Sequence, residues 1–230
     1  MAPTIEEWWT SLPVITKGLL LACSGTTMAA AAGIVGPADL FFSLDAVLTR
    51  WQIWRLITCF TFLGPIGIGL IVQLYMISKY GTILESTYFS GSTGRADFVF
   101  MLLVGGAVLI LVSLVVPGLY FLGASLVTYI IYVWSRKDPF GQATFFGFRF
   151  SIWQLPFVLM VFHVLMGGSV IPDLAGIFAG HVYHFSIDIV PKVYGLTVLK
   201  TPSFLASICG EASFSTGYGW RSSGPGYRLN

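Results

Sequence analysis

Residues 167–185 read GGSVIPDLAGIFAGHVYHF, an apolar stretch interrupted by one carboxylate and two histidines. Gly176 and Gly180 are four residues apart, so on a helix they lie on the same face. Because this face carries no side chains at those positions, the backbone of a neighbouring helix can approach it closely. The stretch therefore predicts a helix packed tightly within a helical bundle.

The rest of the chain has the composition of a membrane protein. Hydrophobic residues make up 56% of its 230 residues and charged residues only 10%, whereas soluble domains carry about 25% charged residues. So few charges cannot cover a water-exposed surface. The formal net charge of +2 is too small to indicate nucleic-acid binding. We expect a helical protein that crosses the membrane several times.

Six apolar segments, separated by turn-forming residues, follow one another along the chain. They lie at about 17–35, 56–78, 97–116, 118–134, 152–168 and 171–190. Before them, Trp8 and Trp9 lie on a short helix suited to the headgroup layer. Residues 200–230 lack an apolar run and are predicted to be flexible. The expected organisation is an interfacial helix (1–16), a six-span membrane domain (17–199) and a cytosolic tail (200–230).

The distribution of basic residues predicts the orientation. With the N-terminus in the cytosol and six spans, only Arg50 and Arg55 of the 12 basic residues fall on the far side. Cytosolic loops are enriched in Lys and Arg, so both ends are expected in the cytosol.

The fifth apolar segment is short. Residues 152–166 precede Gly167, and as a helix they reach about 22 Å, against a hydrocarbon core of about 30 Å. A short span thins the bilayer around it. The alternative is that tilt and flanking residues absorb the mismatch.

The loop between the first two segments contains Trp54 and Arg55 within QIWR. An arginine at a membrane face needs an acceptor or water, and a tryptophan prefers the interface. In one interpretation the pair holds an amphipathic loop partly inside the outer leaflet. The alternative is a simple interfacial anchor.

Four stretches together resemble the derlin family of the rhomboid-like superfamily. They are QIWRLIT (52–58), GRADFVFMLL (94–103), YVW (132–134) and the stretch 167–185, and with their spacing the resemblance covers about residues 5–205. Trp54 and Arg55 match the family's loop motif, and Gly176 and Gly180 match its glycine pair. The resemblance implies an all-α membrane protein, a six-transmembrane-helix rhomboid-like bundle with an amphipathic first loop and a mobile cytosolic tail.

The rhomboid-like superfamily includes proteases, which pair a serine in a GxSG motif with a histidine on the sixth span. Here Gly123-Ala124-Ser125 is followed by Leu126, and Asp173 stands where such proteases have the histidine. We expect an inactive member without catalytic residues, in which Ser125 packs and bonds its own backbone. The alternative is an intramembrane serine protease.

The histidines raise the question of a metal site. His184 and Asp188 share a helix face, close to His181, and His163 from the fifth span would be needed as a further ligand. The simpler interpretation is that each imidazole has a hydrogen-bond partner in the bundle. No metal and no cofactor are expected.

Polar side chains within the spans resemble the lateral opening of derlins. They are Gln73 in the second span and Gln154 and His163 in the fifth. Polar groups at membrane depth usually face protein or a water-filled cavity, so these residues are predicted to line a path for client polypeptides. The alternative is that they only hydrogen-bond across helices.

The tail contains a segment that resembles the motif with which derlins bind a hexameric AAA-type unfoldase. Its glycines permit a close backbone approach, while its apolar and charged side chains supply anchors. The residues are Gly224, Gly226, Tyr227, Arg228 and Leu229. The alternative is a tail without a partner.

The resemblance implies a role in endoplasmic-reticulum-associated degradation, protein quality control and the unfolded protein response. In that role the protein helps misfolded luminal or membrane clients return to the cytosol, with an unfoldase and a ubiquitin ligase complex as partners, in the lipid bilayer of the endoplasmic reticulum. Homo- or hetero-oligomers are compatible with it. No P-loop is present, so the energy for pulling must come from a partner. A scaffold that only recruits ligase and unfoldase is the alternative.

Overall fold

The computed structural model describes residues 4–145, 147–195 and 199–210, and most of them are helical. In chain order the α-helices are α1 (Ile5–Ser11), α2 (Val14–Ala31), α3 (Pro37–Leu40), α4 (Leu44–Thr49), α5 (Arg55–Thr61), α6 (Ile68–Met76), α7 (Gly94–Val115), α8 (Gly123–Lys137), α9 (Leu155–Leu165), α10 (Val170–His184), α11 (Val190–Tyr194) and α12 (Ser203–Ile208). Two strands, β1 (Gln142–Phe145) and β2 (Phe148–Ser151), lie between α8 and α9.

Helix α8 lies at the centre of the bundle. Every residue from Ser125 to Ser135 is buried, and α8 contacts α5, α6, α7, α9 and α10. The polar groups of this helix must therefore find partners inside the protein. Tyr129, for example, donates its hydroxyl to the carbonyl of Met101 in α7 at 2.7 Å.

Two helices in the described residues, α2 and α7, are long and apolar enough to cross a membrane. They contain 18 and 22 residues, or about 27 and 33 Å at 1.5 Å per residue. The hydrocarbon core is about 30 Å thick. The helix of the first apolar segment, predicted at 17–35, begins earlier, at Val14, directly after Pro13.

The second apolar segment, predicted at 56–78, is not one helix. Helix α5 ends at Thr61, and the chain passes through Gly64, at φ +104°, and Pro65. A left-handed glycine and a residue without an N–H cannot continue a helix. The next helix starts with α6 and continues through the π-helical turns Ile77–Gly81 and Leu84–Tyr88. The long helix therefore covers residues 68–88, later in the chain than predicted.

The fifth and sixth apolar segments are joined by a tight turn. A 3₁₀ turn (Ile152–Gln154) leads into α9, which ends before Gly167 at φ +84°. Helix α10 follows and continues through the π-helical turn Phe185–Ile189 into α11. Helix α9 has 11 residues, which is about 16 Å, so it is short, as its bounding residues predict.

The hairpin of β1 and β2 departs from the all-α prediction. Its antiparallel register pairs Gln142 with Ser151 and Phe145 with Phe148. Gly147, with φ +85°, lies in the turn, where a positive φ favours glycine. Each strand has only four residues, and a signal of that length is easily overlooked beside long apolar helices.

The segment predicted as a flexible tail begins with a packed helix. Leu205 and Ala206 of α12 are buried against Ala96 of α7. Thr201 donates its hydroxyl to Asp97, which also accepts a hydrogen bond from Thr93. Residues 203–208 are therefore fixed to the bundle, and the expected flexibility from residue 200 onward is wrong for them. Residues 211–230 lie outside the described part of the chain.

The start of α2 is capped from a distant part of the chain. Its N-cap residue, Pro13, has no side chain that can accept a hydrogen bond. Instead the buried carboxylate of Glu85 accepts from the backbone N–H groups of Ile15 and Thr16 at 3.0 and 2.8 Å and from the Thr16 hydroxyl at 2.8 Å. A carboxylate at a helix N-terminus also interacts favourably with the helix dipole. Glu85 thereby joins the beginning of α2 to the end of the 68–88 helix.

Candidate functional site: a polar cavity and the loop motif

The loop motif is organised by the buried side chain of Arg55. Its guanidinium donates to the carbonyls of Ala38 and Phe41, both at 2.9 Å, and to the amide oxygen of Gln52. It also lies 5.0 Å from the ring centroid of Phe41 and 3.8 Å from the carboxylate of Asp39. Five donors in one planar group suit such a multiple contact. Arg55 therefore fixes the loop of α3 to the first turn of α5.

Trp54 has the opposite environment. Its side chain is 54% exposed, and Trp51 and Ile53 next to it are also exposed, whereas Leu40 and Phe42 of the same loop are buried. The loop is thus two-sided, with an apolar outer face and a buried inner face. Exposed indole rings are typical of residues at a membrane interface.

The two glycines of α10 contact α8 directly. A Cβ atom at Gly176 would lie 2.4 Å from the carbonyl oxygen of Ser125, and one at Gly180 would lie 2.5 Å from the Tyr132 ring. Real Cβ atoms essentially never come so close, so any side chain at either position would push the two helices apart. The glycine face is where α10 meets the central helix.

A cavity of about 90 Å³ lies between α6, α8 and α9, with the start of α10 as part of its wall. Most of the lining is apolar, and the polar contribution comes from four side chains. These are Gln73, Thr128, His163 and Asp173. The cavity thus brings together Gln73 of the second apolar segment and His163 of the fifth, which were both predicted to line a client path.

An imidazole and a carboxylate bond to each other in the wall of this cavity. His163 Nδ1 lies 2.6 Å from Asp173 Oδ2, and Thr128 donates its hydroxyl to Asp173 Oδ1 at 2.8 Å. Asp173 is only 5% exposed, and a buried carboxylate requires hydrogen-bond partners. Both of its oxygens have one. A Cβ at Gly168 would lie 2.3 Å from the His163 ring, so this glycine leaves the space that the ring occupies.

The two glutamines of the predicted path have different positions. Gln73 lines the cavity, where its amide nitrogen donates to the carbonyl of Leu63 at 3.3 Å. Its buried Oε1 atom has no partner among the described residues. The side chain of Gln154 accepts from the backbone N–H of Ser151 at 3.2 Å in a capping box. Gln154 therefore starts the fifth helical segment and is not part of the cavity wall.

The described geometry does not bring a base to Ser125. Its hydroxyl is buried and has no hydrogen-bond partner in the described residues, so the prediction that it bonds its own backbone is wrong. The three imidazoles bond elsewhere: His163 to Asp173, His181 to the Tyr132 hydroxyl at 2.9 Å, and His184 to Asp188 at 2.8 Å. A serine nucleophile needs a base within hydrogen-bond reach.

The histidines do not converge on a common point. Among the described residues no group of three potential metal ligands lies together. Asp188, bonded to His184, also forms an ion pair with Lys137 at the end of α8, with a distance of 3.2 Å. Each imidazole thus has its own partner, which is the simpler of the two interpretations of the sequence.

The roles of Asp173 and Thr128 in this cavity do not follow from the sequence predictions. One signal was present, because Asp173 is a carboxylate in the first turn of an apolar helix, and such groups at membrane depth require partners. The predicted docking residues, from Gly224 to Leu229, lie outside the described residues.

Comparisons with known proteins identify the family of the chain. The sequence matches the Der1-like family over residues 12–203. It is 36% identical to Derlin-2.2 of Zea mays over 219 residues, which cover 90% of this chain and 87% of that protein. It is 38% identical to Derlin-1 of Arabidopsis thaliana, with 88% and 76% covered, and 33% identical to a probable derlin-2 homolog of Dictyostelium discoideum, with 90% and 84% covered. The chain therefore belongs to the Der1-like family and is a derlin relative built mostly of helices.

Proposed function

We propose that this protein is a non-proteolytic component of endoplasmic-reticulum-associated degradation that assists the return of misfolded proteins to the cytosol. The observation that carries the proposal is the polar cavity between α6, α8 and α9. A cavity with Gln73, His163 and Asp173 in its wall offers hydrogen bonds to the backbone of an extended client at a depth where lipid offers none. The Gln73 Oε1 atom, buried without a described partner, is one acceptor for such a client.

The short helix beside the cavity supports the same role. The 3₁₀ turn and α9 together cover residues 152–165, about 22 Å along the helix axis. That is about 8 Å less than a hydrocarbon core of about 30 Å. In our proposal the bilayer thins around this helix and lowers the barrier for polar segments that leave the cavity sideways.

We propose a six-span topology with both ends in the cytosol. In this proposal the spans are α2 and α7, which are long and apolar enough to cross a membrane, together with the 68–88 helix, α8, α9 and the helix that starts with α10. The excess of basic residues on one side supports the orientation. Residues 1–16 then lie at the cytosolic interface, residues 17–199 form the membrane domain, and Trp54 and Arg55 shape the luminal loop. The tail starts at residue 200 with α12 on the bundle. Localisation of a tagged copy to the endoplasmic reticulum tests the assignment of the protein to that membrane.

The partners in this proposal are an AAA-type unfoldase, bound by residues 224–229, and a ubiquitin ligase complex. The protein has no P-loop, so an ATPase must supply the work of extraction. Co-purification of the full-length protein, compared with a variant that lacks residues 224–230, tests the docking segment. Equal recovery of unfoldase with both proteins would contradict it.

The proposal excludes proteolysis because no described imidazole lies within bonding reach of Ser125. In a cleavage assay with a membrane-spanning substrate we expect equal and negligible product from the wild type and from Ser125→Ala. Product that depends on Ser125 would overturn this part of the proposal.

The decisive experiment measures the half-life of a misfolded luminal client. We expect slower turnover when the cavity is made apolar by Gln73→Leu, His163→Leu and Asp173→Leu together. Asp173→Leu is included because removing only the imidazole would leave a buried carboxylate unpaired. Ser113→Leu on α7, away from the cavity, serves as the matched control, and the protein level of each variant is measured. Normal turnover with the triple variant, at normal protein level, would contradict the client path.

A scaffold without a client path predicts a different pattern. In that case deletion of residues 224–230 slows turnover, whereas the apolar cavity variant does not. The proposed path requires that both changes slow it. Trp54→Ala with Arg55→Ala is also expected to slow turnover, because Arg55 holds the luminal loop through four described partners.

A further inference from the structure

A second, larger concave site lies on the other side of the 68–88 helix. It has a volume of about 810 Å³ and lies between α1, α2 and the 68–88 helix. This volume is within the range of about 300–1,000 Å³ that is typical of small-molecule sites. We call it the α2 groove. It is defined by Trp8, Trp9, Ser11, Leu12, Leu20, Leu21, Ser24, Ile71, Leu74, Tyr75, Ser78, Lys79, Thr82 and Ile83.

The α2 groove is amphiphilic along its length. Its wall on the 68–88 helix runs from Ile71 to Ile83, about 18 Å at 1.5 Å per residue. One leaflet of the hydrocarbon core is about 15 Å thick, half of about 30 Å. The end at Ile71 is apolar, whereas Ser78, Lys79 and Thr82 supply polar groups toward the other end. A groove with this length and this polarity matches one lipid chain with its headgroup.

Lys79, Trp8 and Trp9 line the polar end of the groove, and Lys17 at the start of α2 contacts the Trp9 ring. The amine of Lys17 lies 5.4 Å from the ring centroid of Trp9, and the amine of Lys79 lies 5.7 Å from the ring centroid of Tyr75. Neither lysine has an ion pair with a described acidic residue. Trp8 is 43% exposed beside them, and indole rings prefer the headgroup level.

The acidic side chains of this region do not occupy the polar end. Glu85 is buried and accepts hydrogen bonds from the start of α2. Glu6 and Glu7 on α1 are exposed and do not line the groove, and Glu7 accepts a hydrogen bond from the N–H of Thr4. The cationic groups at the mouth therefore favour an anionic ligand.

We propose that the α2 groove binds an anionic glycerophospholipid, with an acyl chain along α2 and the phosphate between Lys17 and Lys79. The groove opens toward the leaflet that contains the N-terminus, which is the cytosolic leaflet in the proposed topology. The binding itself depends only on the groove and can be measured without a client. Its failure is therefore distinguishable from failure of the proposed function.

Native mass spectrometry of the full-length protein in detergent tests the site. The probes are dioleoyl phosphatidylserine and dioleoyl phosphatidylcholine, which share acyl chains and differ in charge. Each basic residue near an anionic lipid contributes about 1 kcal/mol, or about a fivefold change in affinity. We expect a preference of about 25-fold for phosphatidylserine, which Lys17→Gln with Lys79→Gln abolishes.

Matched variants separate the groove from general charge effects. Arg149→Gln with Lys192→Gln removes the same net charge at exposed positions and should keep the preference. Ser24→Phe, which fills the groove, should weaken binding of both lipids, and a thermal melt of each variant checks its fold. Equal binding of the two lipids by the wild type, or a preference that survives loss of both lysines, would overturn the proposal. Lipid-free dimers that form at the groove would overturn it as well.

Discussion

Glu85 makes the strongest single prediction for stability. The variant Glu85→Ala leaves three donors at the start of α2, the N–H groups of Ile15 and Thr16 and the Thr16 hydroxyl, without their acceptor. A buried donor that loses its partner costs about 1–3 kcal/mol. Because Ile15 is only partly buried, water can replace one partner. We therefore expect a loss of about 3 kcal/mol in the free energy of unfolding.

The assay is thermal unfolding of the purified protein in detergent, followed by circular dichroism. For a chain of this length each kcal/mol lowers the midpoint by about 2–4 °C, so Glu85→Ala should melt about 6–12 °C below the wild type. Glu85→Gln, which keeps one acceptor oxygen, should lie between them. The exposed Glu6→Ala serves as the control and should change the free energy by less than about 0.5 kcal/mol. A midpoint for Glu85→Ala within about 2 °C of the wild type would refute the capping role.

Three further substitutions test other parts of the molecule. Gly176→Leu should destabilise by about 3 kcal/mol or more through overpacking, whereas Gly18→Leu, with open space around its Cβ position, should melt like the wild type. Arg55→Lys keeps the charge but not the planar set of donors, so limited proteolysis should cut residues 36–54 faster than in the wild type. Ser125→Ala removes a buried hydroxyl without a described partner and should leave the melting midpoint equal or higher; a lower midpoint would reveal a partner.

The predictable features of the fold are those encoded locally. Gly167 and the residue pair Pro117-Gly118 mark helix ends in the sequence, and both glycines have positive φ in the structure. The division of the second apolar segment was signalled by Gly64 and Pro65, but the apolar residues on both sides suggested a single span. A turn signal therefore carried more information here than continuous hydrophobicity.

The contacts that build the site depend on helix rotation and could not be read in the same way. The sequence shows His163 and Asp173 as polar residues in apolar segments, but their pairing requires that α9 and α10 turn these faces toward each other. The capping role of Glu85 is not predictable from the sequence, because its partners lie 69 and 70 residues away and no local pattern connects them. Sequence periodicity gives the face of a helix but not the neighbour that the face meets.

The docking of α12 on α7 limits where the proposed unfoldase can bind. With Leu205 and Ala206 held against the bundle, the chain leaves its anchor near Gly210. Fourteen residues then lead to Gly224, and at no more than about 3.6 Å per residue they span at most about 50 Å. In the proposed function, an unfoldase bound at residues 224–229 therefore lies within about 50 Å of Gly210, which limits the part of the membrane face that it can reach.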